Sequence, residues 1–247
     1  RRGGMFGANS TLLAKAAAGT DLFSLLARAE QGAVHGAAET KVPSINLPKA
    51  RAKPVLDGQL TEECWQDAIE LHLAESNDGS GAALADCLVM LAWDDDHVYV
   101  AGRMEHCPGH SNKMNHTVNR FHDAKHGTLD RVIITFDVDR DYTTGFEFVV
   151  DESGQTSERC WTARSWNPQW FVDAEADETS WRFEMAIPQA ELQTTPLRAG
   201  SLWGIQIQRL APGVMEQSLK DPETENAVAH TNGHGLLRFI RNRKQTQ

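Results

Sequence analysis

The sequence lacks both an excess of positive charge and a long apolar run, and each absence excludes a class of partner. Lys and Arg number 24 against 34 Asp and Glu, which gives a formal net charge of −10. Binding to phosphate backbones or to an anionic membrane surface requires a basic face, so neither nucleic acid nor such a surface is expected as a partner. No stretch approaches the roughly 18 consecutive apolar residues of a membrane span, so membrane insertion is not expected either.

Cysteine is scarce, with four residues in a chain of 247. No two of them form a Cys-x-x-Cys pair, which excludes the common zinc ribbon and the covalent c-type haem motif. Two interpretations remain: buried free thiols, or one or two disulfides with Cys107–Cys160 as the first candidate pair. The four residues are Cys64, Cys87, Cys107 and Cys160.

The familiar catalytic motifs are absent as well. The sequence has no Gly-x-Ser-x-Gly elbow, no His-Glu-x-x-His zinc motif and no Gly-rich phosphate loop. Carboxylates are plentiful, but nothing in the pattern sets two of them at the separation that a glycosidase pair needs. We therefore expect a protein that is not an enzyme.

From residue 51 onward the chain is a succession of strand patterns. Residues 91–104 predict two strands joined by an acidic turn. The near-continuous apolar run at 131–136 is typical of a buried strand. Alternating apolar residues predict further strands, and Pro188 is well placed to open a helical turn. About eight strands with two short helices indicate an all-β fold, an antiparallel sandwich with one core. The alternating segments are 146–151, 181–187 and 203–208.

The N-terminal region differs from the rest. Residues 1–31 contain apolar positions among good helix formers, and Gly19 divides them into two predicted short helices, the second capped by Thr20 or Asp21. Residues 32–50 read as a linker and 243–247 as a tail. Three interpretations of the helical segment remain: the end of a preceding domain, an arm that docks on a partner, or a helix packed on its own sandwich.

Six segments in a fixed order resemble the family 9 carbohydrate-binding modules and the wider DOMON-like group of β-sandwiches. The resemblance spans residues 51–242. It implies a jelly-roll or immunoglobulin-like sandwich within a larger exported bacterial protein, secreted, periplasmic or on the cell surface. The segments are PVLDGQLTEECW (54–65), LAWDDDHVYVAGRM (91–104), DRVIITFDVDRD (130–141), SWRFEMAIPQAEL (180–192), SLWGIQIQRL (201–210) and GLLRFI (235–240).

The resemblance implies glycan binding, but this chain departs from the family at the sugar site. The sugar-binding members hold a terminal glucose between two tryptophans, and the motif alignment places Gly127 at the first position. The second belongs to the last loop, residues 218–235, which has no aromatic residue here. A family glutamine that contacts sugar matches Gln208. The missing clamp keeps an alternative open, a structural module that packs against other domains or subunits of the same protein.

A tryptophan-rich segment offers a replacement for the lost clamp. Sugar recognition uses flat aromatic surfaces and planar polar side chains. The alternative is that Trp161 and Trp170 belong to the core and Trp166 braces a loop. The candidate ligand-binding residues are Trp166, Arg164, Asn167, Gln208, Trp161 and Trp170.

A histidine-rich stretch suggests a transition-metal or haem site. His122 and His126 would share one face of a helix, and His106 lies upstream. Some DOMON-like relatives hold non-covalent haem, for which Met104 or Met114 would be the methionine ligand. The competing interpretation is a solvated loop whose histidines are unrelated.

Alternating carboxylates predict a calcium site. Asp137, Asp139 and Asp141 present hard oxygen ligands at every second position, and members of the family often carry structural Ca²⁺. The alternative is an acidic hairpin turn, since the segment has neither the glycine nor the distal glutamate of an EF-hand.

Overall fold

A computed structural model describes residues 14–35, 42–75, 85–108, 122–141, 144–161, 163, 165–213, 215–219 and 234–241. Within these ranges no helix is both long enough and apolar enough to span a bilayer. The helices are α1 (Leu22–His35), α2 (Glu63–Gln66) and α3 (Gln189–Leu192). The strands are β1 (Ser44–Pro48), β2 (Ile69–Glu75), β3 (Cys87–Trp93), β4 (His97–Glu105), β5 (Arg131–Asp137), β6 (Phe146–Asp151), β7 (Thr156–Cys160), β8 (Phe171–Ala176), β9 (Ser180–Pro188), β10 (Leu202–Ala211), β11 (Met215–Leu219) and β12 (His234–Ile240).

The strands follow one curled hydrogen-bonded path that folds over into two layers. Its order is β7-β6-β5-β10-β11-β2-β3-β4-β9-β8, and β12 pairs with both β10 and β1. All neighbours along the path are antiparallel, and β1 with β12 is parallel. We call β7, β6, β5, β10, β11 and β12 the first layer, and β2, β3, β4, β9 and β8 the second. The predicted all-β sandwich is confirmed.

The main core lies between the two layers and is filled by alternate residues of the strands, as the period of two requires. The predicted alternations at 181–187 and 203–207 are confirmed, since their apolar members are at most 1 % exposed. The run at 131–136 differs from the prediction. Val132, Ile134 and Phe136 are fully buried, whereas Ile133 is half-buried. The first layer thus buries its inner face in the core and keeps a partly accessible outer face.

Helix α1 is tied to the body of the module at one end of the first layer. Asp21 caps it, accepting hydrogen bonds from the Ser24 N–H at 2.8 Å and the Ser24 hydroxyl at 3.0 Å. Glu30, 1 % exposed, pairs with Arg140 Nε at 2.8 Å, and Arg140 Nη1 also donates to the Leu202 carbonyl at 2.7 Å. The helix therefore packs near the β5–β6 connection and the start of β10.

Candidate functional site

The outer face of the first layer carries a continuous row of side chains. Residues directly opposite each other in antiparallel strands point to the same side of a sheet. The pairings Ser157–Val149, Val149–Ile133, Ile133–Gln208 and Gln208–Ser218 therefore align five side chains across β7, β6, β5, β10 and β11. Gln208, the predicted sugar contact, lies in the fourth position and is half-buried. We call this surface the outer face.

Two residues along the strands from this row, the outer face has a concavity of about 320 Å³. Arg131, Leu210 and Glu216 lie opposite one another across β5, β10 and β11 and line it. Arg131 Nη1 donates to the carbonyls of Gly127 and Leu129, each at 3.2 Å. The guanidinium thus holds the loop in which the sugar-binding members place their first tryptophan. The rest of the lining is Ala211, Pro212 and Gly213.

Gly127, at the position that corresponds to the first tryptophan of the sugar-binding members, has a backbone conformation that favours glycine. Gly127 has φ +54°, in the left-handed region that favours glycine. An added Cβ would meet nothing closer than the Lys125 carbonyl at 3.9 Å, so backbone conformation rather than crowding is what a substitution would strain here. The loop that would carry the second tryptophan lies largely outside the described residues.

The tryptophan-rich segment closes the side of the sandwich where the two layers are not hydrogen-bonded to each other. It connects β7 at one end of the strand path with β8 at the other. Trp170 is 8 % exposed, lies 5.1 Å from the Phe148 ring centre and donates its Nε1–H to Glu158 at 3.1 Å. Trp166 is half-buried, 5.0 Å from Phe146 and 5.6 Å from Phe148. The structure thus gives Trp170 the core role and Trp166 the bracing role that sequence patterns left open.

Trp161 differs from its two neighbours because it projects into solvent. Its side chain is 60 % exposed, and its backbone has φ +53°. Its N–H donates to the Gly145 carbonyl at 2.9 Å, which fixes the turn. Asn167 is also exposed, while Arg164 lies outside the described residues. Of the three tryptophans, Trp161 is therefore the exposed one.

The three histidines of the predicted metal site, His106, His122 and His126, belong to none of the groups of described residues with metal-like geometry. Residues 122 and 126 are in irregular structure, so the assumed helical face does not exist. His122 Nδ1 lies 3.2 Å from the Thr156 hydroxyl, and both ring nitrogens of His126 have protein partners. His106 Nε2 lies 2.8 Å from the Asp177 carbonyl.

Met104, one of the two methionine ligands proposed for haem, is not available at the surface. Met104 is fully buried in the main core, with its sulfur 2.9 Å from the Cys87 Sγ. Met114 lies outside the described residues.

The three aspartates proposed for calcium do come together. Asp137, Asp139 and Asp141 each offer a carboxylate oxygen, and these atoms lie within 4.8 Å of one another. Asp141 also accepts hydrogen bonds from the Thr144 N–H at 2.7 Å and the Thr144 hydroxyl at 2.9 Å. Arg140, the cation between them in sequence, pairs instead with Glu30. Clustered hard oxygens are the donor set that Ca²⁺ prefers.

The candidate Cys107–Cys160 disulfide is not formed, and all four cysteines are in the thiol form. Cys107 is buried with Ala85 and Ala211. Cys160 belongs to β7, and burial raises the pKa of its thiol.

Comparisons with known proteins give matches in structure alone. No protein-family model matches the sequence, and no curated protein matches it. A family 9 carbohydrate-binding module from Caldicellulosiruptor kristjanssonii in complex with cellotriose is 14 % identical, with a TM-score of 0.55 over 83 % of this chain and 97 % of that one. A family 9 carbohydrate-binding module from the same organism in complex with glucose is also 14 % identical, with a TM-score of 0.51 over 81 % of this chain and 97 % of that one.

A third structure, a putative carbohydrate-binding protein from Bacteroides uniformis, is 12 % identical, with a TM-score of 0.56 over 80 % of this chain and 99 % of that one. Each likeness covers nearly all of the other protein, so the shared region is a whole module. Identities this low carry information about architecture rather than about ligand contacts. The chain therefore has the fold of the family 9 carbohydrate-binding modules.

Proposed function

We propose that this protein is a glycan-binding module, and the observation that supports the proposal best is Trp161. A tryptophan in the left-handed region costs on the order of 1 kcal/mol, and such strain tends to persist where a side chain is held for use. At 60 % exposure the ring offers an apolar plane of the kind that stacks on a sugar. Asn167, six residues further along the chain and also exposed, and Gln208 on the outer face supply amide groups that both donate to and accept from hydroxyls.

Replacing Trp161 by alanine should lower glycan affinity by up to about tenfold without lowering the melting temperature. Loss of an aromatic stacking partner costs about 0.5–1.5 kcal/mol, and the upper end of that range corresponds to a factor of ten. The measurement is calorimetric titration with cello-oligosaccharides, chosen because a structural neighbour holds cellotriose, together with a thermal melt of each variant.

Phe171→Ala is the matched control, because Phe171 is an aromatic residue of similar exposure, 55 %, on β8. It should leave affinity unchanged, and Gln208→Ala reports separately on the outer face. Equal losses in the Trp161 and Phe171 variants, or none in either, would count against a stacking role for Trp161.

We also propose that Asp137, Asp139 and Asp141 hold a structural Ca²⁺ ion. Calcium at one hundred times its dissociation constant stabilises a folded protein by about 2.7 kcal/mol, which is roughly 5–10 °C for a domain of this size. Addition of EDTA should therefore lower the melting temperature by that amount, and Asp139→Asn should abolish the calcium-dependent part. Identical melts with calcium and with EDTA would refute the site.

The proposal includes export, because the polysaccharides that such modules meet lie outside the cytoplasm. An assembly role finds less support. Among the residues of α1 whose side chains are described, Phe23 is an exposed large apolar side chain, at 66 %, and single exposed apolar residues are ordinary on monomeric proteins. We therefore do not propose an assembly role.

A further inference from the structure

His126 bridges an aspartate and a serine on the outer face. Its Nδ1 lies 2.8 Å from Asp151 Oδ2, and its Nε2 lies 2.8 Å from Ser157 Oγ. The histidine comes from the loop before β5, the aspartate from the end of β6 and the serine from β7. Three residues separated by 25 and 6 positions, 126 to 151 and 151 to 157, thus form one continuous hydrogen-bonded chain.

The chemistry of the partners fixes the tautomer of the histidine. An ionised carboxylate only accepts hydrogen bonds, so Nδ1 carries the proton and donates it to Asp151. The lone pair of Nε2 then faces Ser157 and accepts the hydroxyl proton. This is the arrangement in which an imidazole acts as a general base on a serine.

The aspartate is held rigidly for this role. Asp151 is fully buried, and its Oδ1 accepts from the Ser153 N–H at 3.0 Å, the Ser153 hydroxyl at 2.8 Å and the Gln155 N–H at 3.0 Å. Those three bonds leave Oδ2 directed at His126. A carboxylate fixed in this way orients the imidazole and stabilises the imidazolium that forms when it takes a proton.

The loop that carries His126, residues 122–130, is anchored to the sheet by other hydrogen bonds and does not need the His126–Ser157 contact for this. The Ala124 N–H bonds the Thr156 carbonyl at 2.9 Å, His122 reaches the Thr156 hydroxyl, and Arg131 holds the Gly127 carbonyl. The loop is thus fastened to β7 and β5 on either side of His126.

We propose that Ser157, His126 and Asp151 form a nucleophilic triad that hydrolyses acyl esters, with the acyl substituents of a glycan as the substrate class. Ser157 Oγ attacks the ester carbonyl carbon while its proton passes to His126 Nε2. The tetrahedral intermediate then expels the sugar alcohol, which receives that proton. Water, deprotonated by the same nitrogen, hydrolyses the acyl-serine, releases the carboxylic acid and regenerates the hydroxyl. Asp151 is a positioning residue, since it touches the histidine alone.

The outer face connects this triad to the proposed glycan-binding residues. Ser157 and Gln208 belong to one row of paired residues, three strand spacings apart, or about 14 Å. A short oligosaccharide bound at Gln208 can extend along the row to Ser157. The glycan as substrate rests on the proposed function, whereas the activated serine does not.

The position of Ser157 within a strand limits the reaction. The Asp151 N–H bonds the Gln155 carbonyl, so the Val149–Ser157 pair two residues along is again a hydrogen-bonded pair. The Ser157 N–H is therefore used by the sheet and does not stabilise the oxyanion, as the nucleophile's own N–H does in chymotrypsin-like proteases. One lost oxyanion donor costs about 10²–10³ in rate, so we expect hydrolysis of esters with good leaving groups rather than of amides.

The test is covalent labelling of the full chain with a fluorophosphonate, in which the Ser157 oxygen displaces fluoride from phosphorus, followed by peptide mass spectrometry. Hydrolysis of p-nitrophenyl acetate is measured in parallel. We expect labelling at Ser157 and at least a 100-fold loss of hydrolysis in Ser157→Ala and His126→Gln. Ser44→Ala, an exposed serine on β1, should keep the wild-type rate. Absence of labelling at Ser157, or an unchanged rate in Ser157→Ala, overturns the proposal.

Two further measurements separate the parts of the proposal. Asp151→Asn should lower kcat for p-nitrophenyl acetate and leave KM unchanged, because a misoriented imidazole slows the chemical step without affecting binding; a change in KM alone would assign Asp151 a merely structural role. Acetylated cello-oligosaccharides test the substrate class. Cleavage of p-nitrophenyl acetate without cleavage of the sugar esters would overturn the glycan assignment and keep the nucleophile.

Discussion

Replacing Arg209 by methionine is expected to destabilise the protein by about 3–5 kcal/mol, the cost of leaving one partner of a buried ion pair alone. Arg209 and Asp130 are at most 1 % exposed, and Arg209 Nη2 lies 2.6 Å from Asp130 Oδ2. Arg209 Nη2 also donates to the Glu105 carbonyl at 2.5 Å, and the Trp181 indole donates to Asp130 at 2.9 Å. Without Arg209 the buried Asp130 carboxylate would lose its countercharge, and the Glu105 carbonyl would lose its donor.

Urea unfolding followed by tryptophan fluorescence measures this loss. Arg51→Ala is the control, because Arg51 pairs with Asp67 at 2.7 Å while their side chains are 45 % and 30 % exposed. Exposed pairs contribute up to about 1 kcal/mol. An Arg209→Met variant no less stable than Arg51→Ala would mean that the buried pair does not hold the two layers together.

The sequence came close to predicting this pair. Trp203, Ile205 and Ile207 point inward at alternate positions of β10. Arg209 takes the next inward position, so the same period of two predicts that it is buried in the core, as it is. The strand patterns predicted the sandwich because each strand has to bury one face. Alternation also predicts which side chains share a face, but it says nothing about how far one strand is shifted against the next.

The candidate sites depend on that missing information. Trp161, Trp166 and Trp170 lie outside the strands, where no periodicity applies. Only the structure shows that Trp161 is exposed and that the other two pack against Phe146 and Phe148. His126 meets Ser157 because the β6–β7 register brings Asp151 and Ser157 to the same face beneath a loop. The sequence shows a serine, a histidine and an aspartate without a motif, so neither spacing nor composition predicts their contact.

The side chain of Glu184 connects three of the segments that carry the resemblance to family 9 carbohydrate-binding modules. It is fully buried on β9, and its Oε2 accepts from the Asp57 N–H at 2.9 Å and the Gly58 N–H at 2.8 Å. Its Oε1 accepts from the Trp65 indole at 2.7 Å. The Leu-Asp-Gly turn, the helix that ends near Trp65 and the strand before Pro188 are therefore joined through one carboxylate.

Glu184→Ala should accordingly cost at least about 3 kcal/mol, since two buried donors and one partly buried donor lose their acceptor and each unpaired donor costs about 1–3 kcal/mol. Chemical denaturation measures the loss, and Glu70→Ala, an exposed glutamate on β2, should change stability by less than about 0.5 kcal/mol. Similar values for the two variants would mean that the Asp57–Gly58 turn finds other acceptors.

The pH dependence of Glu184→Gln provides an independent measurement at the same residue. Burial raises the pKa of Glu184 and the nearby Glu62 adds to the rise, while its three hydrogen bonds oppose it. The folded protein therefore holds this proton more tightly than the unfolded chain, in which a glutamate has a pKa of about 4.3. Relative to the non-titrating glutamine, the wild type should be most stable below that pH and should lose the advantage as pH rises through the folded pKa. Unfolding free energies of both proteins between pH 4 and 7 give the difference directly. A difference that grows with pH would show that the three donors, rather than burial, dominate the ionisation of Glu184.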